Sequence, residues 1–385
     1  MQRSDTKNST AALGWTNRLQ PLVTGSFRGM MEGTLTYRNS AAVHPDLTLE
    51  HWTAVSDGMH NLTTDLAEFQ GYLYLVFSSS PWHIGSHKSR IRLMRSLDGK
   101  QWESVRDWQV PSGDIRDPKL TVIGDRLILY VLKNEGWLAE PGTTAAAETR
   151  DGVEWSPLED CEPKGWLFWR PKTFDGKTWY LPAYWCKHGK SILLKSENGR
   201  DWKEVSTIYE GDHNDETDIE FLPDGSLIAT ARLEINSNLL GHHDSCTLVA
   251  VAEPPYVDWT AVRCKTTRLD GPNLFRAGDE VYALGRRHDD TGRWPQKPCS
   301  ILGKKRTALY RVTKTGLTHL SDFPSGGDTG YPGKVIRGND LLVSYYTNDI
   351  QRDYRWGVGM FLPSEIRMAK CSLSDLPRLF EANES

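Results

Sequence analysis

A short pattern recurs six times along this chain of 385 residues, and it constrains the fold more than any other feature. In each copy, an apolar segment is followed by a turn with a central glycine and then by a second apolar segment. Glycine adopts the positive φ of a tight hairpin turn, so each copy predicts a pair of antiparallel β-strands. Successive glycines are 49 to 60 residues apart, a typical length for a structural repeat. The six glycines are Gly71, Gly124, Gly176, Gly225, Gly278 and Gly338.

A third apolar segment follows each hairpin, and in several repeats it leads into a second kind of turn. The clearest example runs from Ser96 through Asp98-Gly99 to Trp102. Its Ser and Asp side chains can bond the local backbone, its glycine takes the left-handed conformation, and its tryptophan packs the turn onto the sheet. We interpret these turns as structural. Related turns end at Trp155, Trp202 and, in a degenerate form, Trp259.

Three strands and a fourth after the turn, repeated six times, predict an all-β fold: a six-bladed β-propeller with four-stranded blades. The last repeat has no fourth strand of its own, because the chain ends soon after residues 365–370. Residues 47–55 precede the first repeat and have the pattern of a strand, so we expect this N-terminal strand to close the ring by pairing with the last blade. We expect a single domain over residues 1–385, with an N-terminal extension at 1–45 and the blades at 46–376.

Composition and charge exclude several classes of partner. The 46 Lys and Arg residues nearly balance the 50 Asp and Glu residues, so the chain lacks the basic surface that binds nucleic acid. No apolar run approaches the ~18 residues that cross a bilayer, so no membrane partner is expected. The first residues carry no apolar leader, which favours a cytoplasmic protein, or a secreted or periplasmic one from which a leader was removed. Six singly scattered cysteines favour reduced thiols. We expect a monomer or a small homo-oligomer.

The geometry of a propeller predicts where the functional site lies. The first strand of each blade lies nearest the axis, so the residues at its start meet at one end of the central channel, where the loops from second to third strand also open. Several arginines facing one cavity favour an anionic ligand, and an acidic saccharide is the expected partner. Structural Arg–Asp pairs are the alternative interpretation. Trp82, Trp137, Trp169, Trp294 and Trp356 lie in segments expected at this end. The candidate substrate-binding residues are Arg116, Asp117, Arg170, Arg232, Arg286, Asn273 and Asp328.

From about residue 57 to 371, the arrangement resembles the sialidase (neuraminidase) superfamily of Asp-box propellers. The stretch 214–232, in which a glutamate precedes an apolar strand, an Asp-Gly turn and an arginine, is similar to the sialidase segment with the same order. The resemblance implies that Glu216 activates the nucleophile and that Arg232 binds a substrate carboxylate. The segment 330–333 resembles the one that carries the catalytic tyrosine, so Tyr331 is the implied nucleophile. Arg286 would supply another arginine of the cluster.

The sequence departs from the sialidase pattern at two places. The N-terminal Arg-Ile-Pro motif is absent; the nearest match is Phe27-Arg28-Gly29, and Arg116 or Arg170 would replace its arginine. The aspartate expected as the general acid in the loop of the first blade is also absent, and the segment 78–88 offers His83 and His87 instead. The candidate general acids are His83, His60 and Asp65.

The expected function is that of an exo-acting glycoside hydrolase that cleaves a terminal acidic sugar, either sialic-acid-like or uronic. A tyrosine is a weak nucleophile at its usual pKa of ~10 and needs an adjacent base, which Glu216 would provide. The alternatives are a polysaccharide lyase that acts on a uronate by β-elimination with His, Tyr and Arg, or a non-catalytic carbohydrate-binding propeller. No cofactor or metal is expected, because adjacent residues in the tightest His/Asp cluster, His242-His243-Asp244, point apart on a strand.

Overall fold

The computed structural model describes residues 39–134, 136, 140–235, 239–289 and 299–381. It is a six-bladed β-propeller of antiparallel four-stranded blades, which confirms the predicted fold class. In the third blade the inner strand is split into two short pieces, β10 and β11. Among the described residues, no helix is both long and apolar enough to cross a lipid bilayer.

The strands of each blade run in chain order from the axis outward, except that β1 is the outermost strand of the last blade. Blades one to three contain β2 (His60–Phe69), β3 (Tyr72–Ser80), β4 (Arg90–Ser96), β5 (Glu103–Trp108), β6 (Ile115–Ile123), β7 (Arg126–Lys133), β8 (Thr143–Thr149), β9 (Glu159–Asp160), β10 (Trp166–Phe168), β11 (Lys172–Thr173), β12 (Trp179–Trp185), β13 (Lys190–Ser196) and β14 (Lys203–Glu210). Blades four to six contain β15 (Asn214–Phe221), β16 (Leu227–Leu233), β17 (Cys246–Ala252), β18 (Thr260–Cys264), β19 (Asp270–Ala277), β20 (Glu280–Asp289), β21 (Lys304–Thr313), β22 (Gly316–Asp322), β23 (Thr329–Arg337), β24 (Asp340–Thr347), β25 (Glu365–Ser372) and β1 (Glu50–Val55). Three short helices follow β24 or β25: α1 (Trp356–Gly359), a 3₁₀ helix (Leu373–Asp375) and α2 (Arg378–Glu381).

The core lies between neighbouring blades. The middle strands, such as β3 and β7, are buried on both faces, which explains their nearly continuous apolar sequences. Outer strands such as β18 are largely exposed. One cluster packs Tyr74 and Val76 of the first blade against Leu127 and Leu129 of the second. The apolar contacts therefore hold each blade against its neighbours around the ring.

The turns after the third strands have the geometry that the sequence predicts. In the first blade, Oδ1 of Asp98 accepts hydrogen bonds from the backbone N–H groups two and three residues later, at 2.8 and 2.9 Å. The N–H of Gly99 donates to Oγ of Ser96 at 2.9 Å, and Nε1 of Trp102 donates to the Gly99 carbonyl at 3.0 Å. Gly99 has a φ of 73°. These turns lie at the end of the ring opposite the starts of the inner strands, where they stabilise the blades.

The ring closes as predicted. Strand β1 pairs antiparallel with β25 as the outer strand of the last blade, with Trp52 opposite Met368. The strand begins at Glu50, slightly later than the predicted segment, because Leu47 is buried in the core instead of pairing. Ala42 and Asp322 exchange hydrogen bonds and join the preceding residues to the fifth blade. Phe27-Arg28-Gly29 lies outside the described residues.

An irregularity recurs near the start of every inner strand, and it positions the functional site. Five inner strands shift register at this point, and the sixth is the strand split between β10 and β11. A β-bulge of this kind redirects a side chain and bends the strand. Proline follows the irregular residue in four blades, where a missing N–H is tolerated because the ladder is already interrupted. The irregular positions are Thr63, Asp117, Arg170, Glu216, Gly271 and Tyr331, and four of them have φ between 44° and 61°.

Candidate active site

Tyr331 and Glu216, which the resemblance pairs, are in direct contact. The Tyr331 hydroxyl donates a hydrogen bond to Oε1 of Glu216. Oε2 of the same carboxylate accepts from the backbone N–H of Gly271 at 2.7 Å and lies 3.2 Å from Nη1 of Arg232. Both residues are buried, with 7% and 4% of their surface exposed. The bulges of the fourth and sixth blades thus bring two distant sequence positions together.

The environment keeps Tyr331 protonated and makes Glu216 an effective proton acceptor. Burial raises the pKa of Glu216 to about 7, against the opposing charge of Arg232. Burial and the nearby charge of Glu216 raise the pKa of Tyr331 well above its usual value of 10. A free tyrosinate would therefore be costly here. Tyr331 can become nucleophilic only as its proton moves to Glu216.

Two arginines of the predicted cluster are each held by a carboxylate of their own blade. Nε of Arg232 donates to Asp215 at 2.7 Å, and its Nη2 bonds the other carboxylate oxygen. Arg286 donates to Oδ2 of Asp270 through Nε at 3.1 Å and Nη2 at 2.9 Å. The two members of the second pair are directly opposite each other on β19 and β20. These arginines converge on the site, as predicted, and also form the Arg–Asp pairs of the alternative interpretation.

Both arginines also contact Tyr331, Arg232 through its remaining nitrogen and Arg286 through its guanidinium plane. Nη1 of Arg232 is 3.5 Å from the Tyr331 hydroxyl. The guanidinium of Arg286 lies 5.0 Å from the centre of the Tyr331 ring and 4.9 Å from that of Trp356. Its Nη1 donates to Tyr346 at 3.3 Å. Both guanidinium groups therefore hold the Tyr331–Glu216 pair and have few donors left for a ligand.

Arg116 has more capacity for a ligand. Its Nε pairs with Oδ2 of Asp114 at 2.5 Å, and its Nη2 reaches the backbone carbonyl of His83 at 3.4 Å. Nη1 has no hydrogen-bond partner among the described residues. Burial lowers the pKa of Arg116, but the attraction of Asp114 outweighs it and raises the pKa, so the charge persists. Of the three converging arginines, Arg116 is best placed to receive an anionic group.

The carboxylate of Asp328 is the centre of a buried hydrogen-bond network. Oδ2 lies 3.0 Å from Nε2 of His60 and 2.6 Å from Nδ1 of His83. Oδ1 accepts from Tyr346 at 2.9 Å and from Nε1 of Trp356 at 2.8 Å. Burial raises the pKa of Asp328, but the two histidines lower it further, so the pKa lies well below its usual value. Asp328 is thus a fixed anion that orients the groups around it.

Three other predicted residues lie in a different layer of the channel. Arg170 donates to the carbonyls of Pro272 at 2.9 Å and Pro332 at 3.2 Å, and its Nε is 3.3 Å from Asp65. Asp65 also accepts from the Leu120 N–H at 2.9 Å. These side chains line a cavity of about 310 Å³ towards the opposite end of the channel. The structure brings them together as links between blades. The third residue of this layer, which donates to the Pro332 carbonyl at 2.9 Å, is Asn273.

Asp117 occupies the bulge of the second blade and has a φ of 50°. Its carbonyl accepts from Nζ of Lys119 at 3.1 Å, whereas its carboxylate has no hydrogen-bond partner among the described residues. Asp117 acts electrostatically on Arg116, Lys119 and Tyr184. A buried carboxylate with open acceptor positions is suited to bind sugar hydroxyl groups.

Two groups of His and carboxylate side chains in the described part of the chain place three ligand-type atoms within 4.8 Å of one another. In the first group, His60 and His83 contact one oxygen of Asp328 at hydrogen-bonding distance. The second group contains His188, His213 and Glu234, of which the glutamate lies 3.7 Å from Arg232. A cation would have to displace these hydrogen bonds or face an arginine, so we assign neither group to a metal.

Sequence reasoning did not single out Asp215 and Asp270 as partners of the arginines. The signal was present, because each lies in the same segment as a predicted site residue and pairs across one hairpin with an arginine. Tyr346 was also missed, since it looks like any aromatic residue of a buried strand. The tryptophans predicted at this end of the channel differ in their environment: Nε1 of Trp356 donates a hydrogen bond to Asp328, whereas Trp82 is exposed. Trp137 and Trp294 lie outside the described residues.

Comparisons with known proteins identify structures of the same fold but do not identify the substrate. No protein family and no curated protein matches the chain in sequence. Phage phi92 endosialidase has a similar structure, with a TM-score of 0.62 and 11% identity over 85% of this chain and 69% of that one. Trypanosoma rangeli sialidase in complex with sialic acid gives a TM-score of 0.57 and 12% identity. This match covers 89% of the present chain but 61% of the sialidase, so the chain spans less than two thirds of that protein.

A third structural neighbour is matched over nearly its whole length. The GH93 α-L-arabinofuranosidase of Fusarium graminearum, in complex with arabinobiose, has a TM-score of 0.56 and 13% identity over 89% of this chain and 99% of that one. At these identities the comparisons establish the fold class. The protein is a sialidase-like six-bladed β-propeller, and its neighbours of the same fold are glycoside hydrolases.

Proposed function

We propose that the protein is an exo-acting glycoside hydrolase that removes a terminal acidic sugar, with Tyr331 as its nucleophile and Glu216 as the base. The hydrogen bond from the Tyr331 hydroxyl to Glu216 carries the proposal. A tyrosine acts in place of a carboxylate nucleophile in sialidases, which are exceptions among glycosidases. A neutral nucleophile avoids repulsion from the charge of an acidic sugar.

The proposed reaction proceeds in two steps. The Tyr331 oxygen attacks the anomeric carbon as its proton moves to Glu216, and the glycosidic C–O bond breaks with its electron pair on the leaving oxygen, which takes a proton from a general acid. Water then attacks the anomeric carbon of the glycosyl-tyrosine and gives a proton back to the general acid, while the bond to the Tyr331 oxygen breaks and Glu216 returns the proton to that oxygen. Two displacements at one carbon retain its configuration.

The acidic group of the sugar would bind at Arg116, whose Nη1 is open among the described residues. Arg232 and Arg286 contribute positive potential while they hold Glu216 and Tyr331. The carboxylate of Asp117 supports binding through sugar hydroxyl groups. This division of roles favours a small terminal sugar that presents an anion on one side and hydroxyl groups on the other.

The test is hydrolysis of aryl glycosides of a sialic acid and of a uronic acid by the full chain and by Tyr331→Phe. We expect the variant to lose at least about a thousandfold in kcat, because removal of a nucleophile is among the largest single losses. Tyr72→Phe is the matched control, since Tyr72 lies at the opposite end of the first blade. NMR of the first product should show retained configuration. Unchanged turnover by Tyr331→Phe would refute the proposal.

A uronate lyase is the second candidate, and His83 favours it. With Nδ1 directed at Asp328, the neutral ring would present its Nε2 lone pair as a base. That base would take the proton from C5 of a uronate while Tyr331 protonates the leaving oxygen, so that a C4–C5 double bond forms. A rise in ultraviolet absorbance with oligouronates identifies elimination, because hydrolysis creates no such double bond. Sugar binding without either reaction would indicate a non-catalytic carbohydrate-binding propeller.

A further inference from the structure

We propose that His83 is the general acid that protonates the leaving oxygen, and that Asp328 is its positioning residue. This inference rests on the proposed hydrolysis by Tyr331 and Glu216. It replaces the carboxylic acid of the sialidase pattern by an imidazole held on a buried carboxylate. The first-blade loop, between β3 and β4, contributes no Asp or Glu that could take the role.

Asp328 fixes which nitrogen of His83 can exchange a proton. The carboxylate has no exposed surface and accepts from four donors besides His83. An anion that is this well bound cannot donate, so Nδ1 of His83 must be the donor in their 2.6 Å contact. Nε2 is then the only nitrogen of His83 that can gain or lose a proton. A carboxylate that orients an imidazole in this way is the arrangement that His–Asp pairs use in hydrolases.

His60 touches the same carboxylate but cannot serve as the acid. Its Nδ1 lies 2.7 Å from the carbonyl of Leu362, which can only accept, and its Nε2 lies 3.0 Å from Asp328. Both nitrogens are occupied, and the side chain has no exposed surface. The side chain of His83, in contrast, is 18% exposed. Only one of the two histidines is therefore accessible to a substrate.

Backbone and ring contacts hold His83 at the same end of the channel as Tyr331. Its N–H donates to the Met360 carbonyl at 2.9 Å, and its carbonyl accepts from Arg116 at 3.4 Å. Its ring lies edge-on to Trp356, with centroids 6.0 Å apart. Arg286 in turn lies between the rings of Trp356 and Tyr331. The side chains of His83 and the nucleophile Tyr331 thus line the same site.

The charges around His83 keep its proton mobile. Burial lowers the pKa of His83, Asp328 opposes this effect, and the neighbouring His60 and Arg286 lower it further. Arg116 contacts its backbone from the second blade. A histidine whose pKa is lowered is a stronger acid once protonated, so its imidazolium gives up the proton readily.

In the proposed step, the imidazolium of His83 transfers its Nε2 proton to the glycosidic oxygen as the C–O bond breaks. The neutral ring then takes a proton from the water that attacks the glycosyl-tyrosine, which restores the imidazolium. Each proton given in the first step is recovered in the second, and no oxidant or further reactant is needed.

The experiment compares two aryl glycosides of one acidic sugar that differ only in leaving group, one a nitrophenol and one an unactivated phenol. A nitrophenolate leaves without a proton, whereas the unactivated phenol needs one. His83→Asn preserves a donor to Asp328 at the position of Nδ1 and removes Nε2. We expect kcat/KM to fall about 10²- to 10⁴-fold for the unactivated phenol and only a few-fold for the nitrophenol.

The pH profile gives a second readout. On the nitrophenol glycoside, the activity of His83→Asn should rise with pH to a plateau above about 7, because only deprotonation of Glu216 remains necessary. The wild type should lose activity on the unactivated phenol as the pH rises through the lowered pKa of His83, because the ring is neutral above it. His87→Asn is the matched control, since His87 is an exposed residue of the same loop and should leave both substrates unaffected. If His83→Asn does not fold, as judged by thermal unfolding, His83→Gln replaces it.

The outcomes are distinguishable. Equal losses on both substrates, or none, would overturn the role of His83 and leave the proposed hydrolysis intact. A selective loss in Asp117→Asn but not in the histidine variant would assign the proton to Asp117. If the wild type hydrolyses neither substrate, the proposed function itself fails, and the role of His83 fails with it.

Discussion

The buried base Glu216 should make the protein less stable than a variant that lacks its charge. Glu216→Gln replaces the carboxylate by a neutral amide of nearly the same shape. Because burial raises the pKa of Glu216 from 4.5 to about 7, the folded state keeps the proton at pH values where the unfolded chain has released it. The charge of Glu216 therefore leaves the stability unaffected below pH 4.5, lowers it progressively between pH 4.5 and about 7, and keeps it reduced at higher pH.

The size of the effect follows from the two pKa values. At about 1.4 kcal/mol per pH unit, the charge of Glu216 costs up to about 3 kcal/mol, of which roughly 2.5 kcal/mol develops between pH 5 and 8. At roughly 2.1 cal/mol/K per residue, the unfolding entropy of this chain converts that amount into about 3 °C. The amide of the variant also faces Nη1 of Arg232, and this contact lowers the free energy of unfolding of the variant by about 1 kcal/mol at every pH. The pH dependence is consequently a better readout than the absolute difference.

The assay is thermal unfolding of wild type and variant from pH 5 to 8, with the difference in Tm plotted against pH. We expect the Tm of Glu216→Gln to gain about 3 °C relative to wild type across this range. Glu234→Gln is the control of opposite sign. Burial raises the pKa of Glu234, but Arg232 and the nearby His188, 3.8 Å away, lower it further, so its stabilising effect persists above pH 4.5. Its variant should be less stable across the range, by an amount that shrinks as the pH rises and His188 loses its proton, and a flat or falling curve for Glu216→Gln would refute the reasoning.

Three further predictions test the division of roles in the site. Arg116→Met should raise KM for an acidic aryl glycoside about 10- to 100-fold with little change in kcat, and should not affect binding of the neutral sugar-alcohol analogue in calorimetry. Gly271→Ala should lower the free energy of unfolding by about 1–3 kcal/mol and should also lower kcat, because Gly271 has a φ of 61° and a Cβ there would lie 2.6 Å from the Tyr331 ring. Full activity of this variant would contradict the close packing of Gly271 against Tyr331. Asp65→Ala should cost about 1–3 kcal/mol in denaturant unfolding, because the Leu120 N–H loses its acceptor, but should leave kcat/KM of the folded enzyme unchanged; a selective loss of activity would return Asp65 to the catalytic group.

The ring itself was predictable because it follows from local chemistry that repeats. Each hairpin needs a residue that tolerates positive φ, and Gly71 and Gly124 satisfy that need with φ of 81° and 61°. Each turn before a tryptophan needs an Asp or Asn acceptor and a glycine, and both are visible in sequence. Closure by β1 followed from the missing fourth strand of the last repeat. These features depend on neighbours along the chain, which is why the sequence alone could show them.

The bulges were not predicted, although the sequence contains a signal for them. Proline at positions 118, 171, 272 and 332 interrupts an inner strand at the same point in four repeats. A proline inside a strand usually marks an edge or a bulge, and an inner strand here pairs on one side only, so either interpretation was open. The register shifts resolve it and explain why Tyr331 and Glu216 face the axis. The aspartate partners of Arg232 and Arg286 were missed for a different reason: both lie in predicted site segments, but their pairing with the arginines depends on how the two strands of the hairpin are aligned.

The carboxylates that pair with the arginines also adjust the base. An unpaired Arg232 beside Glu216 would stabilise the carboxylate anion and make it a poor acceptor for the tyrosine proton. Asp215 binds Arg232 through two hydrogen bonds, and the charges of Asp215 and Asp270 both raise the pKa of Glu216. The Arg–Asp pairs and the catalytic pair are thus one electrostatic unit. Removal of Asp215 should lower the pKa of Glu216 and weaken catalysis even though Asp215 touches neither Tyr331 nor the sugar.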